Sequence, residues 1–217
     1  MRWIFAALAV LLSGFVLMPI RYRHFYGGPL YADLGLKVIP TLLCASFAGV
    51  ACFSGGDRYS LLVFIGLCIC AAADVLLGIR FAVGGALFFA GHVCYISAFL
   101  SQHAVSMGNL LAFAVVLPCL WRFCQKYRPL IQNRLIAYGI FIYSAALAVV
   151  LGLSLPLPFL VFSARSVLAA TGAVLFVISD MGVCHGCLVN TSKSYSFRML
   201  AVYYLAQLCL GISAFGG

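Results

Sequence analysis

The sequence predicts an all-α fold, a polytopic membrane helix bundle with about eight transmembrane helices. Of its 217 residues, 65% are hydrophobic and only 8% are charged, whereas a soluble domain carries about a quarter charged residues. The apolar residues also form long runs, and a helix needs about 20 such residues to cross a bilayer. The connections between the runs are too short to hold a soluble domain. Residues 1–217 are therefore predicted to form a single integral membrane domain.

The order of the apolar runs gives the order of the predicted spans. They lie near residues 3–20, 36–53, 59–79, 81–102, 108–125, 134–152, 160–186 and 198–215. The first run has no A-x-A cleavage site and ends in Met18-Pro19-Ile20, so we interpret it as a span and not as a signal peptide. Pro40 is expected in the first turns of the second span, where a missing N–H costs little. The sequence from Leu153 to Pro158 separates the sixth and seventh spans.

The Lys and Arg residues predict the orientation, because cytoplasmic loops carry an excess of them. Three lie on one side, namely Arg2, Arg58 and Arg165. The other ten lie on the opposite side: Arg21, Arg23, Lys37, Arg80, Arg122, Lys126, Arg128, Arg134, Lys193 and Arg198. The loops after the first, third, fifth and seventh spans are therefore predicted to be cytoplasmic, with both termini outside. Basic residues in short loops also explain the net charge of +9 without a nucleic-acid partner. The short loops favour a bacterial inner membrane, or the endoplasmic reticulum in a eukaryote.

Two carboxylates lie inside predicted spans. All four acidic residues are Asp, and Asp74 and Asp180 fall within apolar runs in the cytoplasmic third of the predicted bundle. A charged side chain in hydrocarbon costs about 2.5–3.5 kcal/mol on insertion scales, so such residues are usually functional. Gly66 and Gly172 each precede one of these carboxylates by eight residues. This weak echo is the pattern that duplication of a four-helix unit would leave.

Two carboxylates in a pocket of low dielectric constant are suited to acid–base catalysis. Burial favours the protonated form of a carboxyl group, and two neighbouring carboxyls do not ionise together easily. One can then act as general acid, while the other, ionised, orients water or stabilises positive charge. A structural explanation is also open for Asp74. It shares a small-residue helix face with Gly66, Cys70 and Gly78, where it could bond a neighbouring helix.

Further polar side chains are candidates for supporting or substrate-binding roles: Lys37, Arg80, His92, Tyr95, Tyr204 and Gln207. For His92, the alternatives are a hydrogen-bonded core histidine and a partner of a carboxylate or of the lipid. Gln207 is unusual in a span, and both helix packing and substrate binding explain it. Lys37 and Arg80 lie near the headgroup level, where such residues anchor a helix or contact phosphate.

The ten cysteines do not indicate a disulfide framework, because most of them lie in apolar runs and resemble small hydrophobic residues there. The Cys184-His185-Gly186-Cys187 cluster is closer to a metal site. It supplies only one short group of ligands, with no second CxxC, so no metal is predicted.

Together, these residues resemble the lysoplasmalogenase (YhhN-like) family of eight-span membrane proteins over about residues 30–212. The matching pieces are Lys37–Thr41, Ala73–Leu77, Gly91–Tyr95 with Ala98-Phe99, Gly172–Phe176 with Ser179-Asp180, and Tyr204–Gln207. The chain departs from the family in three places. Ala73 replaces a usual Gly, Pro40 comes later than the Pro that usually follows the Lys, and Cys184–Cys187 stands where Lys-Phe or Arg-Phe is usual.

The resemblance implies hydrolysis of the vinyl ether bond of lysoplasmalogens, with no cofactor. Asp74 and Asp180 would divide the acid and base roles, and Ser179 joins the supporting residues. Lys37 and Arg80 would meet the phosphate of the lysophospholipid substrate, whose alkenyl chain would lie among the helices in the lipid bilayer. A homo-oligomer is compatible with the sequence, which does not specify one.

Two alternatives remain open at this point. A zinc-dependent, ceramidase-like hydrolase could use Asp74, His92, Asp180 and His185, but the spans hold only two histidines and no HxxxH or HExxH pair. A proton-coupled transporter would also place paired carboxylates in the membrane.

Overall fold

The computed structural model describes residue 20 and residues 30–189 and 191–215. Its long helices are α1 (Leu30–Phe53), α2 (Arg58–Ile79), α3 (Phe81–Leu100), α4 (Met107–Tyr127), α5 (Arg134–Ser154), α6 (Ala164–Val189) and α7 (Lys193–Ser213). A 3-10 turn, Arg128–Leu130, follows α4, and a single helical turn, Leu157–Leu160, precedes α6. By length and composition, all seven helices can cross a membrane. The chain is a multi-pass helical membrane protein.

The seven helices correspond to the second through eighth predicted spans, which confirms the all-α membrane bundle. The first predicted span, near residues 3–20, lies outside the described residues except for Ile20. The start of α1 differs from the prediction. This helix begins at Leu30, earlier than predicted. Asp33 and Lys37 lower the hydropathy of its first turns, which made the predicted span start later, but they do not prevent a helix. Pro40 consequently lies inside α1 and not in its first turns, so the helix lacks the backbone hydrogen bond that residue 40 would donate.

Polar residues at the helix starts explain why the short loops hold their shape. Asp57 precedes α2 and accepts a hydrogen bond from the Ser60 backbone N–H at 3.0 Å. Ser106 and Asn109 form a reciprocal capping box at the start of α4, and Asn133 caps α5. Each cap satisfies backbone N–H groups that have no partner within their own helix.

The packing order brings distant parts of the chain together. α1, α2 and α3 pack in sequence, and α6 pairs with α7, which returns to contact α1 and α2. α5 contacts both α3 and α6, so it closes the other side of the core. α4 packs mainly on α5 and exposes the apolar side chains of Met107, Leu111 and Val115. The middles of α2, α3, α6 and α7 therefore meet in one buried region.

Glycines permit the close approach of helices beside this region. A Cβ atom on Gly66 of α2 would lie 2.7 Å from Cε1 of Tyr95 on α3. A Cβ atom on Gly172 of α6 would lie 2.9 Å from the Leu210 side chain and 3.1 Å from the Ala206 carbonyl oxygen, both on α7. Real Cβ contacts are longer than this, so larger residues would force the helices apart.

Candidate active site

Asp74 is held by side chains from two other helices. Its carboxylate lies on α2 and is only 1% exposed. Thr41 of α1 and Tyr203 of α7 donate hydrogen bonds to Oδ2 at 2.7 and 2.9 Å. The Lys37 Nζ atom lies 3.2 Å from Oδ1. This arrangement gives an ionised carboxylate both a counter-charge and hydrogen-bond donors, which a buried charge requires.

Lys37 is turned towards the core. Its ammonium group also donates to the backbone carbonyl of Asp74 at 3.3 Å, and Tyr204 donates to the backbone carbonyl of Lys37 at 2.7 Å. This carbonyl lies beside the turn in which Pro40 removes a helix hydrogen bond. Tyr204, a predicted supporting residue, thus fixes the part of α1 from which Lys37 projects.

Asp180 has a different set of neighbours. Tyr143 of α5 donates a short hydrogen bond to Oδ2. The His92 Nε2 atom of α3 lies 3.7 Å from the same oxygen, beyond hydrogen-bond distance. Within the described ranges, no Lys or Arg forms an ion pair with Asp180. Among the described residues, therefore, Asp74 has a cationic partner and Asp180 has none.

The orientation of His92 is set by its other ring nitrogen. Nδ1 lies 2.7 Å from the carbonyl oxygen of Phe88, and because a carbonyl only accepts, Nδ1 carries the hydrogen. In the neutral ring, Nε2 then has a free lone pair. That nitrogen is buried and has no hydrogen-bond partner among the described residues. His92 is thus a hydrogen-bonded core histidine on one edge, with an unused basic atom facing Asp180 on the other.

A second buried nitrogen without a partner belongs to Gln207. Its Oε1 accepts a hydrogen bond from Tyr95 at 3.2 Å, whereas its Nε2 has no partner within the described part of the chain. Gln207 lies one turn beyond Tyr203 on α7, and Tyr95 lies one turn beyond His92 on α3. The Tyr95–Gln207 hydrogen bond therefore lies between the group around Asp74 and the group around Asp180.

An aromatic wall runs beside these polar groups. The Phe176 ring packs against the rings of His92 at 4.6 Å, Tyr203 at 5.5 Å and Phe88 at 6.2 Å, measured between centroids. No hydrogen bond joins the two carboxylates within the described residues. The polar side chains thus lie in a region of low dielectric constant beside aromatic rings.

Most of the predicted site residues lie in this connected region: Asp74, Asp180, Lys37, His92, Tyr95, Tyr204 and Gln207. Two do not. Ser179 donates to the Met199 carbonyl at 3.1 Å and ties α6 to α7. Arg80 lies exposed at the junction of α2 and α3, and its side chain has no hydrogen bond or ion pair within the described ranges.

Three hydroxyl groups were not among the predicted site residues, namely those of Thr41, Tyr143 and Tyr203. Thr41 belongs to the Lys37–Thr41 piece that resembles the family, but no role in the site was predicted for it. Tyr143 and Tyr203 are tyrosines in apolar runs, and nothing in their local sequence separates them from tyrosines that pack against lipid. Their roles follow only from the way the helices pack.

The metal-dependent alternative receives no support from the arrangement of ligands. Within residues 30–189 and 191–215, no three His, Cys, Asp or Glu side chains are grouped so as to hold a metal ion. His185, of the Cys184–Cys187 cluster, instead has its Nδ1 atom 2.7 Å from the Tyr127 hydroxyl.

The fold and this site define a class, that of multi-pass helical membrane proteins with one buried and one partly buried aspartate among their helices. The chain belongs to the YhhN family, whose sequence profile matches residues 32–214. The predicted family is thereby confirmed. No curated protein and no solved structure matches the chain.

Proposed function

We propose that the protein is a lysoplasmalogenase. It would hydrolyse the vinyl ether bond of an alkenyl-glycerophosphoethanolamine or -choline and release a fatty aldehyde and glycerophospho-ethanolamine or -choline. The observation that carries this proposal is a pair of carboxylates among the helices, one buried and one partly buried, with separate hydrogen-bond donors. The side-chain nitrogens His92 Nε2 and Gln207 Nε2 in the same region have no hydrogen-bond partner among the described residues. Membership of the YhhN family is consistent with the proposal.

The proposed reaction matches the groups that are present. A proton from a general acid adds to the β-carbon of the vinyl ether and leaves an oxocarbenium ion. Water then adds to the cationic carbon and loses a proton to a base, which gives a hemiacetal. Collapse of the hemiacetal moves its hydroxyl proton to the glycerol oxygen and releases the aldehyde. General acid–base groups contribute about 10²–10⁴-fold to such steps, and fixed charges near the cation add to this.

Each part of the buried region has a place in this scheme. Asp74 and Asp180 would supply the acid–base chemistry together, and both carboxylates would stabilise the positive charge of the oxocarbenium ion. The nitrogens of His92 and Gln207 would hold the attacking water or a substrate oxygen, because buried polar atoms need partners. The alkenyl chain would lie along the wall around Phe176.

The test uses detergent-purified protein and a synthetic lysoplasmalogen, with fatty aldehyde as the measured product. We expect release by the wild type that a chelator does not reduce, and loss of at least 10²-fold in Asp74→Asn and in Asp180→Asn. The control substrate is the 1-alkyl analogue, whose saturated ether offers no carbon to protonate, and it should stay intact. Folding of each variant is checked by gel filtration and thermal unfolding.

Two results would contradict the proposal. Either variant retaining full activity would exclude the paired-carboxylate mechanism, and a wild type that releases no aldehyde would exclude the activity. In the second case, proton-coupled uptake into vesicles becomes the next assay, because a transporter also uses buried carboxylates.

A further inference from the structure

We infer that the two carboxylates have different protonation states, with Asp180 holding a proton beside Tyr143 and His92, and Asp74 ionised beside Lys37. The assignment of states rests on contacts within the protein. Its catalytic consequence, that Asp180 is the acid and Asp74 the fixed anion, rests on the proposed function.

The contacts of Asp74 fit an anion. Lys37 supplies a positive charge 3.2 Å from Oδ1, and two hydroxyl groups donate to Oδ2, from Thr41 and Tyr203. A proton on Asp74 would leave the partly buried ammonium of Lys37 without its counter-charge. A charge left without its partner in such surroundings is unfavourable, so the ionised pair is the stable form.

The contacts of Asp180 fit a neutral acid. Within the described residues, the groups that contact its carboxylate are the Tyr143 hydroxyl from α5 and, at 3.7 Å, Nε2 of His92 from α3. Neither is a Lys or Arg, and the complete burial of His92 favours its neutral ring, in which Nδ1 carries the hydrogen and Nε2 is a bare acceptor. An unpaired carboxylate charge in such surroundings would lose most of its hydration, and binding a proton avoids this cost.

This arrangement gives the proton a balanced route in the proposed reaction. Asp180 gives its proton to the β-carbon, and the resulting carboxylate is stabilised by the hydroxyl of Tyr143. When water attacks, the proton it loses returns to Asp180, either directly or through the lone pair of His92 Nε2. Asp74 keeps its charge throughout and opposes the positive charge of the oxocarbenium ion. The enzyme ends in the state in which it began.

Infrared spectroscopy tests the states directly, with no substrate. The chain has only four acidic side chains, all Asp, so few carboxyl bands are expected. At neutral pH, we expect the wild type to show the C=O stretch of a protonated carboxyl group, shifted in D₂O. The band should be lost in Asp180→Asn and retained in Asp74→Asn.

Lys37→Met provides a second test that keeps both carboxyl groups. Without the ammonium group, Asp74 should take up a proton, so the band should grow. The inference is overturned if the wild type shows no such band, if the band is lost in Asp74→Asn and kept in Asp180→Asn, or if it does not grow in folded Lys37→Met. These outcomes do not depend on aldehyde release, so failure of the proposed activity remains a separate result.

Discussion

Tyr143 makes the hydrogen bond that most clearly separates Asp180 from Asp74. It is the only hydroxyl group that donates to Asp180 among the described residues, whereas Asp74 receives two hydroxyl groups and a cation. If Asp180 must accept negative charge during the reaction, the Tyr143 hydroxyl stabilises the charged state more than the neutral one.

Tyr143→Phe is therefore expected to lower the kcat of aldehyde release by about ten- to a hundredfold, since a hydrogen bond to a charged group contributes about 1.5–3 kcal/mol. Steady-state kinetics with a lysoplasmalogen measure the effect. Tyr138→Phe is the matched control, because Tyr138 lies on the same helix with 64% of its surface exposed, and it should leave kcat unchanged. Equal activity of the two variants would remove Tyr143 from the proposed mechanism.

At the scale of helices, the approach of α2 to α3 depends on Gly66. A side chain at this position would displace the Tyr95 ring, which donates the hydrogen bond to Gln207 at the centre of the buried region. Helix packing and site geometry are thus coupled at one residue.

Gly66→Ala should destabilise the protein by about 1–3 kcal/mol through overpacking and should lower the activity as well. Gly85→Ala is the control on the facing helix, where an added Cβ atom meets nothing within 4 Å. It should be neutral or stabilising by up to about 1 kcal/mol, since Ala favours a helix over Gly. Thermal unfolding in detergent compares the two, and a Gly66→Ala variant as stable as Gly85→Ala would contradict the packing argument.

A separate polar cluster joins the beginnings of α2 and α6 to the end of α7. Arg165 donates to Asp57 at 2.5 Å and to the backbone carbonyl of Ser213 at 3.3 Å, and Ser60 donates to the carbonyl of Ala214 at 2.8 Å. The sequence analysis used Arg165 only to predict which side of the membrane its loop faces. It did not reveal that Arg165 is buried in this cluster.

Acid should weaken this cluster. Partial burial acts to raise the pKa of Asp57, but hydrogen bonds from Arg165 and Ser60 outweigh it, so the pKa lies below its ordinary value. A lowered pKa in the folded state contributes stability above about pH 4, and this contribution is lost as the pH falls through the folded-state value. We therefore expect the melting temperature of the wild type to decrease as the pH is lowered below about 4.

Asp57→Asn should remove most of this acid dependence and lower the melting temperature at neutral pH. Neighbouring Arg58→Gln is the control, since Arg58 is exposed and should leave both unchanged. Thermal unfolding measured across the pH range tests this prediction. If the melting temperatures of Asp57→Asn and the wild type fall equally in acid, the acid dependence belongs to other groups.

At the scale of the molecule, α1, α2 and α3 correspond to α5, α6 and α7. Asp74 follows the first residue of α2 by 16 positions, and Asp180 follows the first residue of α6 by 16. Thr41 of α1 donates to the first carboxylate and Tyr143 of α5 to the second. The spacing seen in the sequence therefore has a counterpart in the structure.

The helices α1–α3 form one half of this correspondence and α5–α7 the other. The last helix of each half contacts the carboxylate of the other half. Tyr203 of α7 donates to the carboxylate on α2, and His92 of α3 approaches the one on α6. Tyr95 and Gln207, each 14 positions after the first residue of its helix, bond to each other between the halves. The halves differ in charge, because α1 supplies Lys37 whereas α5 has no basic residue after Arg134. This difference is what gives one carboxylate its cation.

The sequence was sufficient to predict the helices and the carboxylates but not the contacts between them. Long apolar runs specify spans, and a charge such as Asp74 or Asp180 is conspicuous within one. The hydroxyl group of Tyr143 is not conspicuous, because its role depends on α5 packing beside α6. For the same reason, the sequence could not show that Lys37 turns towards Asp74 and not towards the headgroups.

Orientation remains a prediction of the charge distribution, and cysteine labelling tests it. Ser54 and Arg80 lie exposed at opposite ends of α2, so Ser54→Cys and Arg80→Cys report on opposite sides of the membrane. With an impermeant maleimide, Ser54→Cys should label in intact spheroplasts and Arg80→Cys only in inside-out vesicles, each after subtraction of labelling of the native cysteines. This result would place the carboxylates nearer the cytoplasmic leaflet, since Asp74 lies six residues, or about 9 Å, from Arg80 along the helix. The reverse pattern would invert the topology and direct the search for substrate to the outer leaflet.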